Sequence, residues 1–282
     1  MLSQITFTPA AGSAVTLHAA TGNFQVGVAE GVFGPPATRD VARSNAGFDG
    51  TLDDTHLFDE RKITFDGSVI GSSISNAVSN FETLTAAFAT SLITPGTLTI
   101  TLADGTTQRW CKVILADAVQ PSVSGGAALI DYQVSFRAPD PRWYGITLRS
   151  STSTIATTTA ATSSSQSVTN AGTAPTFPKF EWTAGTGRVL SDVTVTVPTA
   201  YLSVSPQGST IVLDASGTAT PLALNDYIDC TTRTTNTLST LSATTEWPVL
   251  YPGSSSWTWT QQLSGGSSSS STCTMTYYDA WW

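Results

Sequence analysis

The chain has 282 residues, of which 40% are hydrophobic and only 11% charged, with a formal net charge of −8. That length accommodates two ordinary domains or one large all-β domain. Low charge at this hydrophobicity is not the composition of a disordered chain, and an acid excess with only three lysines (Lys62, Lys112 and Lys179) argues against a phosphate-gripping surface.

From the N-terminus, Gln4–Thr8, Ala14–His18 and Asn23–Val28 read as short strands punctuated by Gly and Pro. Glu30 to Glu60 reads as a long loop, because Gly34-Pro35-Pro36, Asn45-Ala46-Gly47 and Asp49-Gly50 are all turn chemistry. Ile63, Phe65 and Val69 alternate with polar residues, which predicts a strand with a bulge at Gly67. A helix follows. Ser73 is its expected N-cap, and Ile74, Ala77, Val78, Phe81, Leu84, Phe88 and Leu92 give one apolar stripe with Phe81 as its central anchor. Thr94-Pro95-Gly96 stops it. Leu98–Leu102 and Gln108–Leu115 form a hairpin around Asp104-Gly105, and Leu129–Phe136 closes the unit.

Next comes the run Pro139-Asp140-Pro141-Arg142-Trp143-Tyr144. Two prolines flanking an aspartate cannot continue a sheet ladder, so Pro139, Asp140, Pro141, Trp143 and Tyr144 are read as a rigid domain joint. Ser150 to Ser167 is Ser/Thr/Ala-rich and reads either as a flexible linker or as exposed strand. Beyond it, Thr176–Trp182, Val189–Val197, Ser209–Leu213, Tyr227–Thr231, Trp257–Gln261 and Thr272–Tyr278 are strands without helical periodicity, the pattern of an antiparallel β-sandwich. The fold class is therefore mainly β: an α+β unit over residues 1–149 with one helix, a Ser/Thr-rich linker over 150–169, and a sandwich over 170–282.

Catalytic equipment is scarce. The only histidines are His18 and His56, and no GxSxG elbow accompanies them. Asp53, Asp54, His56, Asp59 and Glu60 cluster, yet without the ligand spacing or glycine of a calcium loop; a solvated segment is the better reading. Cys111, Cys230 and Cys273 are odd in number and lack CxxC spacing, so buried free thiols are expected, not a disulfide framework or zinc site. No enzyme activity, cofactor or metal is expected. The N-terminal residues show no basic region leading an apolar core, and no apolar run reaches the length of a span, so neither signal peptide nor membrane insertion is expected. Trp257 and Trp259 fall on one face of a strand. They serve either as a sugar-stacking platform or as core or interface aromatics, and the second reading is favoured. Trp281 and Trp282 cannot both point inward from one strand, so at least one meets a neighbour or stays exposed.

Several local patterns together resemble one family. They are Phe48-Asp49-Gly50, Arg61-Lys62-Ile63-Thr64-Phe65-Asp66-Gly67-Ser68-Val69-Ile70-Gly71, Leu98 through Gly105, and Ala138-Pro139-Asp140-Pro141-Arg142-Trp143-Tyr144. In the second half come Asn170-Ala171-Gly172, Pro175-Thr176-Phe177-Pro178, Ser209 through Asp214, and Glu246 through Ser254. In this order and spacing the chain resembles the distal tail proteins of siphophages. The resemblance implies an N-terminal ring-forming domain related to tail-tube proteins and a galectin-like C-terminal sandwich. It also implies six copies in a ring between the tail tube and the tail-tip hub, with the tape measure protein as a further partner. DNA would pass through without specific binding, and the protein would reside in the virion after assembly in the host cytoplasm. A carbohydrate-binding adhesin module is the alternative reading of the sandwich.

Overall fold

The computed structural model describes residues 2–44, 51–123, 128–155, 162–183, 189–197, 209–214, 226–229, 234–235, 249–264 and 270–282. Two compact units divide the chain: Met1–Ile146 together with Trp282, and Thr147–Trp281. The chain is mainly β with antiparallel pairing and one helix among the described residues.

The first unit contains β1 (Leu2–Thr8), β2 (Val15–His18), β3 (Phe24–Glu30), β4 (Thr38–Ser44), β5 (Thr51–Phe58), β6 (Arg61–Ile70), α1 (Ile74–Ala89), β7 (Gly96–Leu102), β8 (Gln108–Leu115), β9 (Gln120–Val123), β10 (Leu129–Ala138) and the start of β11 (Trp143–Ile155). Strands pair in the order β2-β1-β7-β8, then β8 meets β10 at Phe136 and Arg137, and β10 continues through β6 to β3. The alternation in β6 buries Ile63, Phe65 and Val69 on one face. On that face lies a ring cluster with Phe136 at its centre. Its centroid lies 5.4 Å from Phe7, 5.3 Å from Phe88 and 6.2 Å from Phe65. Burying each ring contributes on the order of 2–3 kcal/mol.

Ser73 caps α1 by accepting from Asn76 N at 3.2 Å, and Asn76 Oδ1 accepts in return from Ser72 N at 3.1 Å. Only Ala77, Leu84 and Phe88 are buried on the helix. Ile74 is 57% and Val78 43% exposed, and Phe81 is half-buried, which corrects its expected role as central anchor. The seven apolar positions span more than the width of one contact stripe. The 77/84/88 row faces the sheet, while Ile74, Val78 and Phe81 fall on its flank. The helix also ends at Ala89, so Leu92 sits in the following turn, 58% exposed.

Two further expectations change. The bulge is not in β6, which pairs regularly with β10 over its whole length; it lies across the other seam, where Gly27 of β3 is the extra residue opposite Gly67 and Asp66. Gly67 is needed for a different reason: a Cβ there would come within 2.7 Å of the Tyr132 ring, which lies over it from the opposite register position. The expected loop Glu30–Glu60 is instead largely an antiparallel ribbon of β4 and β5, forming a two-stranded sheet of their own. The arms lack apolar alternation because they add to neither larger sheet, so the sequence carries no period there. The β7–β8 hairpin is as read. Gly105 takes φ +71°, and the Asp104 carboxylate accepts from Thr106 N at 3.0 Å, Thr107 N at 2.9 Å and the Thr107 hydroxyl, bonds that hold its pKa down at about 2.

The second unit holds the remainder of β11 with β12 (Thr162–Asn170), β13 (Lys179–Thr183), β14 (Val189–Val197), β15 (Ser209–Asp214), β16 (Asp226–Asp229), β17 (Thr234–Thr235), β18 (Gly253–Ser264) and β19 (Ser271–Trp281). One sheet runs β17-β16-β13-β19-β11, the other β12-β18-β14-β15. Their buried faces meet: Phe180 of β13 lies 5.7 Å from Trp257 of β18, and Trp259 Nε1 donates at 3.0 Å to Ser153 Oγ of β11. The Ser/Thr tract read as a linker over 150–169 is therefore largely strand, in β11 and β12. Its exposed positions are tied to β18 by hydroxyl pairs, Ser163 with Thr260 and Ser165 with Thr258, each at 2.7 Å. Cross-strand hydroxyl pairs stabilise a sheet without any hydrophobic signature, which is why composition alone reads as linker.

Candidate functional site: the Arg61–Asp140 clamp

The sequence run Pro139–Tyr144 lies inside the first unit, before its boundary at Ile146. β10 stops at Ala138 because Pro139 has no N–H to give the ladder. Asp140 then organises the turn. Its Oδ1 accepts from Arg142 N at 3.2 Å and from Arg142 Nη1 at 3.0 Å, and its Oδ2 accepts from the Tyr144 hydroxyl at 2.6 Å. Burial, and then the Asp140 charge, push the Tyr144 pKa up, so the phenol stays a donor. Trp143 is buried, and the Trp110 indole donates to Gly145 O at 3.0 Å while its ring lies 5.3 Å from that of Tyr144.

Arg61, the first residue of β6, is 2% exposed. Its guanidinium donates to three carbonyls: Nε to Pro141 O at 2.7 Å, Nη1 to Gly31 O at 2.8 Å and Nη2 to Gly34 O at 3.0 Å. Burial lowers its pKa, yet a guanidinium remains charged. Each carbonyl belongs to an irregular segment with no ladder to accept it, so one rigid donor fork serves both the proline turn and the chain leading into the ribbon. Gly31 has φ +72°, and a Cβ there would sit 1.9 Å from Lys62 O. At the other foot of the ribbon, Phe58 meets the ring of Trp282 at 4.1 Å, and the Arg142 guanidinium lies 5.6 Å from the centroid of that same ring. The structure thus brings Asp140, Pro141, Tyr144 and Trp282 into one clamp at the root of β4–β5, with Pro139 and Trp143 beside them. From the sequence Arg61 enters only as the first residue of a motif, with no role, and Gly31 and Phe58 do not enter; a charged residue at an inward strand position is the available signal for Arg61.

Trp257 and Trp259 are fully buried, with Trp257 Nε1 donating to Ser151 Oγ at 3.2 Å, so they offer no surface platform to a sugar. Trp281 and Trp282 are both half-buried. His18 Nδ1 accepts from Val26 N at 3.3 Å and so is a strand-pairing residue. Of the acidic cluster, Asp59 and Glu60 are exposed and Glu60 pairs with Arg137 at 3.3 Å; the side chains of Asp53, Asp54 and His56 lie outside the described residues. Among the described residues no group of three or more His, Cys, Asp or Glu is placed to hold a metal. Burial pushes the Cys111 and Cys273 thiols up, which makes them inert, and Cys230 lies outside the described residues.

No model of a protein family matches the chain, and no curated protein matches it. Among solved structures it is similar to the Dit protein of phage SPP1, described as a paradigm of the hub adsorption apparatus in phages infecting Gram-positive hosts. The identity is 16% and the TM-score 0.61, over 98% of each chain. Two structures of the phage P2 baseplate in its activated conformation are more distant. The calcium form gives 10% identity and a TM-score of 0.48 over 98% of each chain; the strontium form gives 9% and 0.45, over 93% of this chain and 98% of that one. The architecture of both units in succession is thus that of the SPP1 Dit protein, at an identity that speaks to the fold alone.

Proposed function

We propose that this chain is a distal tail protein of a phage: a structural virion component whose copies, six to a ring, join the end of the tail tube to the tail-tip hub and leave a channel for DNA. The observation that carries this reading is the likeness to the SPP1 Dit protein across both units, first residue range to last. Two features support it. First, the β4–β5 ribbon stands as a separate two-stranded sheet, an arrangement marginal in water unless something covers it, and β3 is the last strand of its sheet among the described residues. A neighbouring copy that takes up both completes the pairing, and a closed ring leaves no edge over. Second, the outward face of β10 and β6 carries a row of polar side chains with two carboxylates, beside the exposed Val28 and Ile70. Ser68 donates to Asp131 at 2.6 Å, Gln133 donates to Asp66 at 2.7 Å, and Gln120 and Ser122 lie alongside. Lys62 and the Glu60-paired Arg137 share that face, so its charges nearly balance, and in a chain of net charge −8 it offers no cluster of cations to grip a polyanion.

The role is geometric, without catalysis or cofactor, and the tube, hub and tape measure proteins are its partners in the virion. Electron microscopy of the purified chain tests this. Six-membered rings with a central channel support the proposal. A monomer at every concentration, with no binding to tail-tube ends, refutes it.

A further inference from the structure

Strand pairing in the first unit runs from β2 at one end to β3 at the other, and these two ends meet. Among the described strands β2 pairs with β1 alone and β3 with β6 alone, so no ladder joins them. Two side-chain bonds join them instead. Gln25 Nε2 donates to Ala19 O at 3.1 Å, and Val26 N donates to His18 Nδ1 at 3.3 Å. At this seam lies a cavity of about 380 Å³, in which Leu2, Ile5, Val26, Ala29 and Phe33 surround His18. We propose that the seam is a proton-operated latch: it is closed while the His18 imidazole is neutral, and when the ring takes up a proton β2 parts from β3 and the apolar cavity opens to solvent.

The acceptor carries the argument. Nδ1 accepts only through the lone pair of a neutral ring, whereas an imidazolium bears a hydrogen on each nitrogen and can only donate. Protonation therefore sets two N–H groups against each other and strands the Val26 donor. Nor does any carboxylate face the new charge. β1, β7, the rest of β2 and residues 31–37 bring no charged side chain. On β3 the extra residue Gly27 resets the alternation, so Ala29 lines the cavity while Val28 and Glu30 stand on the other face. On β6, Lys62 and Asp66 face outward, and the Arg61 guanidinium, held by three carbonyls, has the same sign as an imidazolium. α1 brings Thr83 to the turn after β2, and its one charged residue, Glu82, is exposed. His18 itself is half-buried, so a proton reaches it without unfolding. A backbone ladder would not titrate in the range where imidazoles do; this seam does. The latch does not rest on the ring assembly, because the seam belongs wholly to the first unit.

The test is amide hydrogen exchange of the full chain, with each rate divided by its intrinsic value at that pH. Protection over β2 and β3 should fall about tenfold between about pH 7.5 and about pH 5, while the β7–β8 hairpin keeps its protection. The loss should share its midpoint with the His18 ring, followed by NMR of isotope-labelled histidine. His18→Gln offers Val26 N an amide oxygen that does not titrate, so it should stay protected at both pH values. If that variant does not fold, the two midpoints in the wild-type chain decide the matter. The inference falls if wild-type protection over β2 and β3 is the same at both pH values. It also falls if the two midpoints differ, or if His18→Gln keeps the wild-type pH dependence.

Discussion

The two units solve the problem of a β core with different chemistry. In the first, Phe7, Phe65, Phe88 and Phe136 meet as rings without a polar atom among them. In the second, the central aromatics are Trp257 and Trp259, and each indole N–H is bound to a serine two residues from its fellow, Ser151 and Ser153. Ser153 is itself fully buried and donates onward to Ser164 of β12 at 2.7 Å. A Phe cluster specifies shape and volume. A paired Trp–Ser arrangement also specifies register, since a one-residue slip of β18 would turn both indoles to the wrong face and strand their N–H groups. That matters where it occurs: β11 and β12 are rich in Ser and Thr and carry little hydrophobic pattern with which to choose a register.

The sharpest way to break the comparison is at its apolar pole. Phe136→Ala empties the centre of the first cluster and should destabilise that unit by about 3–5 kcal/mol in chemical denaturation. A loss below roughly 1 kcal/mol would mean that the cluster does not hold the unit together. At the polar pole, Ser153→Ala removes little volume but leaves the Trp259 N–H and the Ser164 hydroxyl without a partner. It should cost about 1–3 kcal/mol, with Trp259→Phe relieving part of that penalty in a double-mutant cycle. Purely additive effects would show that the bond does no more than fill space.

Alkaline titration sharpens the contrast further. Burial raises Cys111, Tyr132 and Tyr144 in the first unit, and Cys273 and Tyr277 in the second. A raised folded pKa means that stability is whole below the unfolded value and falls as pH rises past it. Both units should therefore weaken from about pH 8.5, where unfolded thiols ionise, and more steeply above about pH 10, where unfolded phenols do. Each fully buried group contributes about 1.4 kcal/mol per pH unit. With two buried tyrosines beside its cysteine, the first unit should melt out ahead of the second, as followed by unit-specific hydrogen exchange. The smallest effect is expected at the clamp's edge. Trp282→Ala removes the contacts to Phe58 and Arg142 and should cost about 1 kcal/mol, read as faster proteolysis at the foot of the β4–β5 ribbon.

What the sequence revealed follows the same division. Where a strand faces a core, as in β6, β8 and β19, alternation located it, and the Ser73 cap and the Asp104-Gly105 turn were visible through their local hydrogen-bond chemistry. The ribbon escaped because among the described strands each arm pairs with the other and with neither larger sheet, so no sheet-facing alternation marks it. β12 stays open between linker and exposed strand in the sequence, because hydroxyl ladders and linkers share a composition. The helix stripe was legible in period but not in width: periodicity identifies candidate contacts, while the sheet decides which row it covers. In the clamp, the proline turn stood out. Arg61 did not, because its three acceptors are backbone carbonyls, and a carbonyl has no letter in a sequence.

Trp282 belongs by its contacts to the first unit, although everything from Thr147 to Trp281 belongs to the second. For a chain emerging from a ribosome this sets an order of events. Residues up to Ile146 have their sheet partners early, but Phe58 waits at the ribbon's foot until the whole second unit has been made and β19 has been threaded into its sheet. The contact closes one of the longest loops in the protein, so it forms late and contributes little to the speed of folding. The ribbon is therefore tied in two stages: the Arg61 fork at Gly31 and Gly34 lies within the first unit and forms early, and the Trp282 contact adds the second tie.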